Sequence, residues 1–193
     1  MPLKIYKEKN VMQERITNLL RETNREGIND LIAYMENEGF FTSPASTKYH
    51  GCYEGGLAFH SFRVCELTLQ YNKKLALGVE EVNIIIAGIC HDLCKIGAYL
   101  GTCKPYQWNR NQPKGHAALS VERAKQFIEL TELEEKMIRY HMGVYGLIEF
   151  DEKKGEYPLR NKSMANAWYH HPIVKVMYFC DKIATLEEKA NES

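Results

Sequence analysis

Met12, Ile16, Leu19, Leu20 and Thr23 recur three and four residues apart, the spacing of one face of a helix. Ile28, Leu31, Ile32 and Met35 repeat the pattern and stop before Gly39, a helix-ending residue. Two N-terminal helices forming one layer are therefore expected. Residues 42–56, TSPASTKYHGCYEGG, are broken by proline and glycine and read as a loop. A helix is predicted over 57–77, with His60, Val64, Leu67 and Tyr71 on one stripe. Residues 81–94 are apolar nearly all round, which predicts a buried central helix continuing to Cys94. A long loop is expected over 98–115 and a further helix over 116–130. Thr131 with Glu134 is a capping-box pair opening the next helix, on which Leu133, Met137 and His141 share a face. Residues 143–163 read as irregular, with a small hairpin around 151–156. Pro172 suits the first position of a last helix running to 188, where Glu187, Glu188 and Lys189 read as a solvated end. The expectation is an all-α chain without repeats or linkers, forming one domain.

Length and composition narrow the class. The 193 residues are 45% hydrophobic and 26% charged, which excludes wholesale disorder. Twenty-five basic residues balance twenty-five acidic ones, so bulk electrostatic binding of long nucleic acid is not expected. The longest apolar stretch, residues 84–90, is too short for a membrane span, and MPLKIYKEKN has no signal-peptide core. The six cysteines lack paired short spacings, although Cys90 and Cys94 are placed to share a helix face. They read as reduced, mostly core thiols in a cytoplasmic protein.

Candidate chemistry lies where metal-competent side chains interrupt apolar stripes: His60, the dipeptide His91-Asp92, His141, and Asp181 between Val174, Met177 and Ala184. His116, just after Gly115, is a fifth such place. A lone core histidine is ordinarily hydrogen-bonded packing. Asp92 and Asp181 are different, because an ionised carboxylate costs several kcal/mol to bury without a cation or donors. The histidines, joined through a metal, are the candidate partners. Imidazole nitrogen with carboxylate oxygen suits Zn, Mn, Fe, Ni or Co rather than Ca. With no His-x-x-x-His or Cys-x-x-Cys pair, the ligands must come from several helices.

The ordered set His60, His91-Asp92, Asp181 resembles the HD-domain superfamily of metal-dependent phosphohydrolases. GGLAFHS resembles its first-histidine helix, HDLCKIG the end of its signature helix and FCDKIAT its distal aspartate helix. The resemblance covers about residues 44–186. It implies an HD-domain helical bundle with a metal site between helices, occupying residues 42–193, with 1–41 as an N-terminal layer of the same domain. It further implies that His60, His91, Asp92 and Asp181 bind one metal. His116 and His141 then serve a second metal with Asp92 bridging, or bind substrate phosphate beside a single metal. Two divalent transition metals per chain are the expectation. A metal lowers the pKa of its bound water to about 7, which supplies hydroxide for in-line attack at phosphorus. Asp92 and Lys95 are the expected catalytic residues, and Lys95, three residues beyond Asp92, is expected to contact substrate phosphate. Cys94 stands where the family often has glycine, a change expected to leave the ligands unaffected.

The segment TKYHGCYEGGLAFH also looks like the approach to the first histidine in HD domains of a bacterial 3′-5′ exoribonuclease group, which makes His50 a substrate-binding candidate. In the loop 98–115, Lys104, Arg110 and Lys114 are placed to bind phosphates while Tyr106 or Trp108 stacks on a base; alternatively those aromatics anchor the loop. His170 and His171 read as surface residues. The expected partner is a small phosphorylated substrate, a nucleotide or a short oligonucleotide. Two other classes fit the same residues: a dinuclear-iron oxygenase, and a catalytically silent module that binds metal and nucleotide.

Overall fold

The structure, a computed structural model, describes residues 9–48, 50–101, 105–113, 115–143 and 162–192. Eight helices lie among them: α1 (Lys9–Glu22), α2 (Ile28–Asn37), α3 (Gly56–Lys74), α4 (Glu81–Cys90), α5 (His116–Lys125), α6 (Glu132–Tyr140), α7 (Lys162–His170) and α8 (Pro172–Glu192). The expected hairpin at 151–156 lies outside the described residues, as do Lys104 and Lys114. The fold is all-α, with one addition. Within the predicted loop, β1 (Tyr99–Leu100) and β2 (Gln107–Trp108) pair antiparallel, Tyr99 opposite Trp108.

Helix α3 is the hub, packed on α4 and α8, while α6 touches α4, α5 and α8. One hydrophobic cluster runs through the bundle, from Met12, Ile16 and Leu20 of α1 to Val174, Met177 and Ala184 of α8. The stripe read from the sequence in α2 is buried as expected at Ile28, Leu31, Ile32 and Met35. Where α3 crosses α4 the backbones come close, because Gly88 has no side chain. A Cβ there would lie 2.8 Å from Cys65 Cα. Gly88→Ala is therefore expected to force the two helices apart and cost about 1–3 kcal/mol. The check is a lower urea midpoint with an unchanged slope.

Five predicted boundaries move. Helix α3 stops at Lys74 rather than 77 because Ala76 takes a left-handed φ of 49°. Helix α4 stops at Cys90 rather than 94. The His91 imidazole bonds the carbonyl of Gly88, and Asp92, at φ −112° and ψ 19°, leads into a 3-10 turn over Leu93–Lys95. Helix α5 stops at Lys125 rather than 130, as the chain turns toward α6; the capping box of Thr131 and Glu134 is present as predicted. Helix α7 begins at Lys162, inside the stretch read as irregular, and α8 starts at Pro172 but continues to Glu192. The 3-10 turn is held from α5: the Arg123 guanidinium donates to the carbonyls of Leu93 (2.7 Å) and Ile96 (2.9 Å). The described cysteines Cys52, Cys65, Cys90, Cys94 and Cys180 are buried thiols outside any disulfide.

Candidate metal centre

Helix ends deliver most of the site. His91 and His141 come directly after the last residues of α4 and α6, and His116 is the first residue of α5. His60 lies inside α3 and Asp181 inside α8, and these two helices pack together. The six positions converge at the centre of the bundle. His60, His91 and His141 are fully buried, and Asp92 and Asp181 nearly so, while His116 keeps a partly exposed edge. The C-terminal ends of α4 and α6, each carrying partial negative charge, both lead into this point and favour a cation there.

Hydrogen bonding fixes which ring nitrogen faces inward. Nδ1 of His91 donates to the Gly88 carbonyl at 2.8 Å, and Nδ1 of His141 to the Ile138 carbonyl at 2.6 Å. A carbonyl only accepts, so both Nδ1 atoms carry a proton, and in the neutral form of each ring Nε2 is left as a bare acceptor. Among the described residues, neither Nε2 makes a hydrogen bond, although both are buried. Their polar neighbours are the Asp92 oxygens, at 3.3 Å from His91 and 3.5 Å from His141. Acceptors facing acceptors out of contact with water is a costly arrangement. A cation removes the cost, and the donor set of neutral imidazole and carboxylate suits a divalent transition metal. The residues therefore fit such an ion.

The two oxygens of Asp92 address different histidines. Oδ2 lies 3.3 Å from His91 Nε2 and 3.7 Å from His60 Nε2, whereas Oδ1 lies 2.9 Å from His116 Nε2 and 3.5 Å from His141 Nε2. Asp181 Oδ1 joins the first group, 3.0 Å from His60 Nε2 and 4.0 Å from His91 Nε2. Lys95 Nζ reaches Asp92 Oδ2 at 2.6 Å from the 3-10 turn rather than from a continued α-helix.

Without metal, these charges support one another. Burial acts to raise the Asp92 pKa, but the Lys95 ammonium foremost, with His116 hydrogen-bonded to the carboxylate, holds it well below the usual carboxylate range. Burial likewise opposes ionised Asp181, and His60 overcomes it, so that carboxyl is also lowered. For His60, burial pushes down while Glu188 and Asp181 lift the ring to about 10. For His116, burial is outweighed by Cys94 and Asp92, giving about 9. Lys95 is raised despite burial because Asp92 faces it.

Two corrections concern residues that the sequence reading set aside. Glu188, expected in a solvated helix end, is 3% exposed and accepts from His60 Nδ1 at 2.9 Å. It belongs to the stripe that flagged Asp181: positions 174, 177, 181, 184 and 188 follow one face of α8, and extending that spacing by one step would have found it. Cys94, expected to leave the ligand candidates unaffected, lies with Sγ 2.8 Å from His116 Nδ1. Nothing in the spacing forecast that contact, because it depends on α5 lying across the 3-10 turn.

The remaining candidates are more dispersed. The His50 ring lies 4.8 Å from that of His60, and both its nitrogens are buried without a hydrogen bond among the described residues. Burial, with His60 and Lys95 nearby, pushes its pKa down to about 3. A pocket of about 240 Å³ is lined by Cys94, Lys95, Tyr99, Trp108, Gln112 and His116, among others. Trp108 is exposed at this pocket with Tyr99 against its ring, and Tyr106 is buried. Arg110 is exposed on the turn after β2 and is not among the described residues lining the pocket.

A family model for the HD domain matches residues 57–185. The chain belongs to the HD-domain family, within a superfamily of metal-dependent phosphohydrolases. No curated protein and no solved structure matches it, so the local likeness of the segment around His50 to exoribonucleases is not shown. Among the described residues, no helix is long and apolar enough to cross a membrane.

Proposed function

We propose that this protein hydrolyses a phosphate mono- or diester, a nucleotide being the leading class, with two divalent transition metals held between its helices. His60, His91, Asp92 and Asp181 would hold one ion; His116, His141 and the other oxygen of Asp92 would hold the second. The observation that carries this reading is the pair of buried Nε2 atoms on His91 and His141, tautomerically fixed as acceptors and turned toward carboxylate oxygens. The division of the Asp92 oxygens between two histidine groups supports two ions rather than one. When bound, such ions supply Lewis acidity and a nucleophile at neutral pH.

The chain's own groups then have separable tasks. Lys95 lines the pocket beside His116 and presents an ammonium to an incoming phosphoryl oxygen. His50, whose ring lies over that of His60 and makes no hydrogen bond among the described residues, would donate its one N–H to a substrate oxygen. The exposed indole of Trp108 offers a face for a planar leaving group. Residues 1–41 are proposed as part of the same domain, since the α1 side chains Met12, Ile16 and Leu20 share the bundle's core.

Elemental analysis of protein purified without chelator, followed by anaerobic assays with manganese or cobalt on a panel of nucleotides and a generic phosphodiester, tests the proposal. About two metals per chain and release of phosphate or nucleoside product are expected. Iron-dependent oxygen consumption without phosphoester cleavage would point to the oxygenase class instead, and tight nucleotide binding with no turnover across all metals to a silent module.

A further inference from the structure

His60 has a problem that the other three histidines do not share. His91 and His141 follow the last residues of their helices, where a carbonyl one turn back is free to take the Nδ1 proton. His116 opens α5 and meets the Cys94 sulfur. His60, the fifth residue of a nineteen-residue helix, sits where the neighbouring carbonyls already serve the helix's own amides. An acceptor for its Nδ1 must come from elsewhere. It comes from α8: Glu188 Oε1, 128 positions away in sequence, lies 2.9 Å from that nitrogen.

The cost of this arrangement is visible around Glu188. Glu188 is 3% exposed, lies two helical turns beyond Asp181 on the same helix face, and its Oε2 makes no hydrogen bond among the described residues. The loop before α3 lies tight against it. A Cβ on Gly51 would come 3.2 Å from Oε2 and 2.8 Å from Ala45 Cβ, and Gly51 takes a positive φ of 54°. Burying a third carboxylate beside two others opposes stability unless it serves its partner.

Resting on the metal reading above, we propose that Glu188 is a positioning residue for the metal centre. It fixes the His60 ring with Nδ1 as the donor, so that Nε2 presents its lone pair beside Asp181, and its negative charge makes that nitrogen a stronger ligand. The carboxylate touches neither substrate nor metal in this role. The structure thus extends the functional part of the chain one helical turn beyond the residues matched by the family model.

The test measures zinc affinity of the metal-free protein against a chromophoric chelator, and the visible spectrum after cobalt loading, for wild type, Glu188→Gln, Glu188→Ala and Glu187→Gln. Glu188→Gln keeps shape and an acceptor oxygen and is expected to weaken zinc binding roughly 10-fold; Glu188→Ala is expected to weaken it roughly 100-fold. Both should alter the cobalt spectrum. Glu187→Gln, which weakens the neighbouring pair with Arg63, should match wild type in affinity and spectrum. If the alanine variant does not fold, the glutamine variant decides. Wild-type affinity and spectrum in Glu188→Gln would overturn the role. A wild-type chain that takes up no metal would overturn the metal reading itself, a result distinguishable because it appears before any substitution is made.

Discussion

Asp92→Ala is expected to abolish metal uptake and to lower phosphoester hydrolysis by about 10³-fold or more, equivalent to about 4 kcal/mol of transition-state stabilisation. The reason is its place between the two histidine groups. Oδ2 faces His60 and His91, and Oδ1 faces His116 and His141, so one substitution removes a shared group from both halves. The same change also affects the fold. Lys95 Nζ is 2.6 Å from Asp92 Oδ2 with its side chain 11% exposed, and removing the carboxylate strands a largely buried ammonium. Metal-free Asp92→Ala should therefore be less stable than metal-free wild type by about 3–5 kcal/mol. Asp92→Asn, which retains an acceptor for Lys95, should recover part of that stability while still failing to hold metal at full stoichiometry. Elemental analysis, initial rates and urea unfolding of both variants provide the measurements. Near-stoichiometric metal and activity in Asp92→Ala would refute the assigned arrangement.

What could be read from the sequence follows the range of the interactions involved. His60, the His91-Asp92 pair, His141 and Asp181 were visible because each interrupts an apolar helical stripe, and periodicity is a local property. The capping box at Thr131 and Glu134 was visible for the same reason, its two hydrogen bonds spanning three residues. That Glu134 also receives the Arg25 guanidinium, at 2.7 Å and 109 positions away, was not. Glu188 was within reach of the α8 stripe, but its charged neighbours Glu187 and Lys189 gave the helix end the look of a solvated surface. Cys94 on His116, and Trp108 opposite Tyr99, depend on how separate segments cross, which no window of sequence records. The early end of α4 belongs to a third category. A histidine side chain bonds the carbonyl three residues back, and the same imidazole that serves the site also ends the helix, so function and local structure compete at one residue.

Metal binding should raise the melting temperature by about 8–16 °C, and the gain should grow as pH rises above the ordinary histidine range. The size follows from linkage: free metal at 1,000 times its Kd stabilises the folded state by about 4 kcal/mol, and each kcal/mol shifts a domain of this length by about 2–4 °C. The sign with pH follows from the metal-free centre. His60 is raised to about 10 and His116 to about 9, both above their unfolded value, so the stability they contribute is fully present below about pH 6.5 and is lost as pH climbs through those values. Asp92 and Asp181 are lowered, so their contribution persists above the ordinary carboxylate value and is lost only in acid, outside this window. Metal must displace the imidazole protons to bind, and it therefore binds more tightly as pH rises. The metal-free protein should thus melt earlier at about pH 9 than at about pH 6.5, while the loaded protein holds its melting temperature and the gap between them widens. Calorimetric scans of chelator-treated and zinc-loaded protein at the two pH values would measure it. A gap that narrows with pH would mean that the imidazoles of His60 and His116 are not the groups the metal displaces.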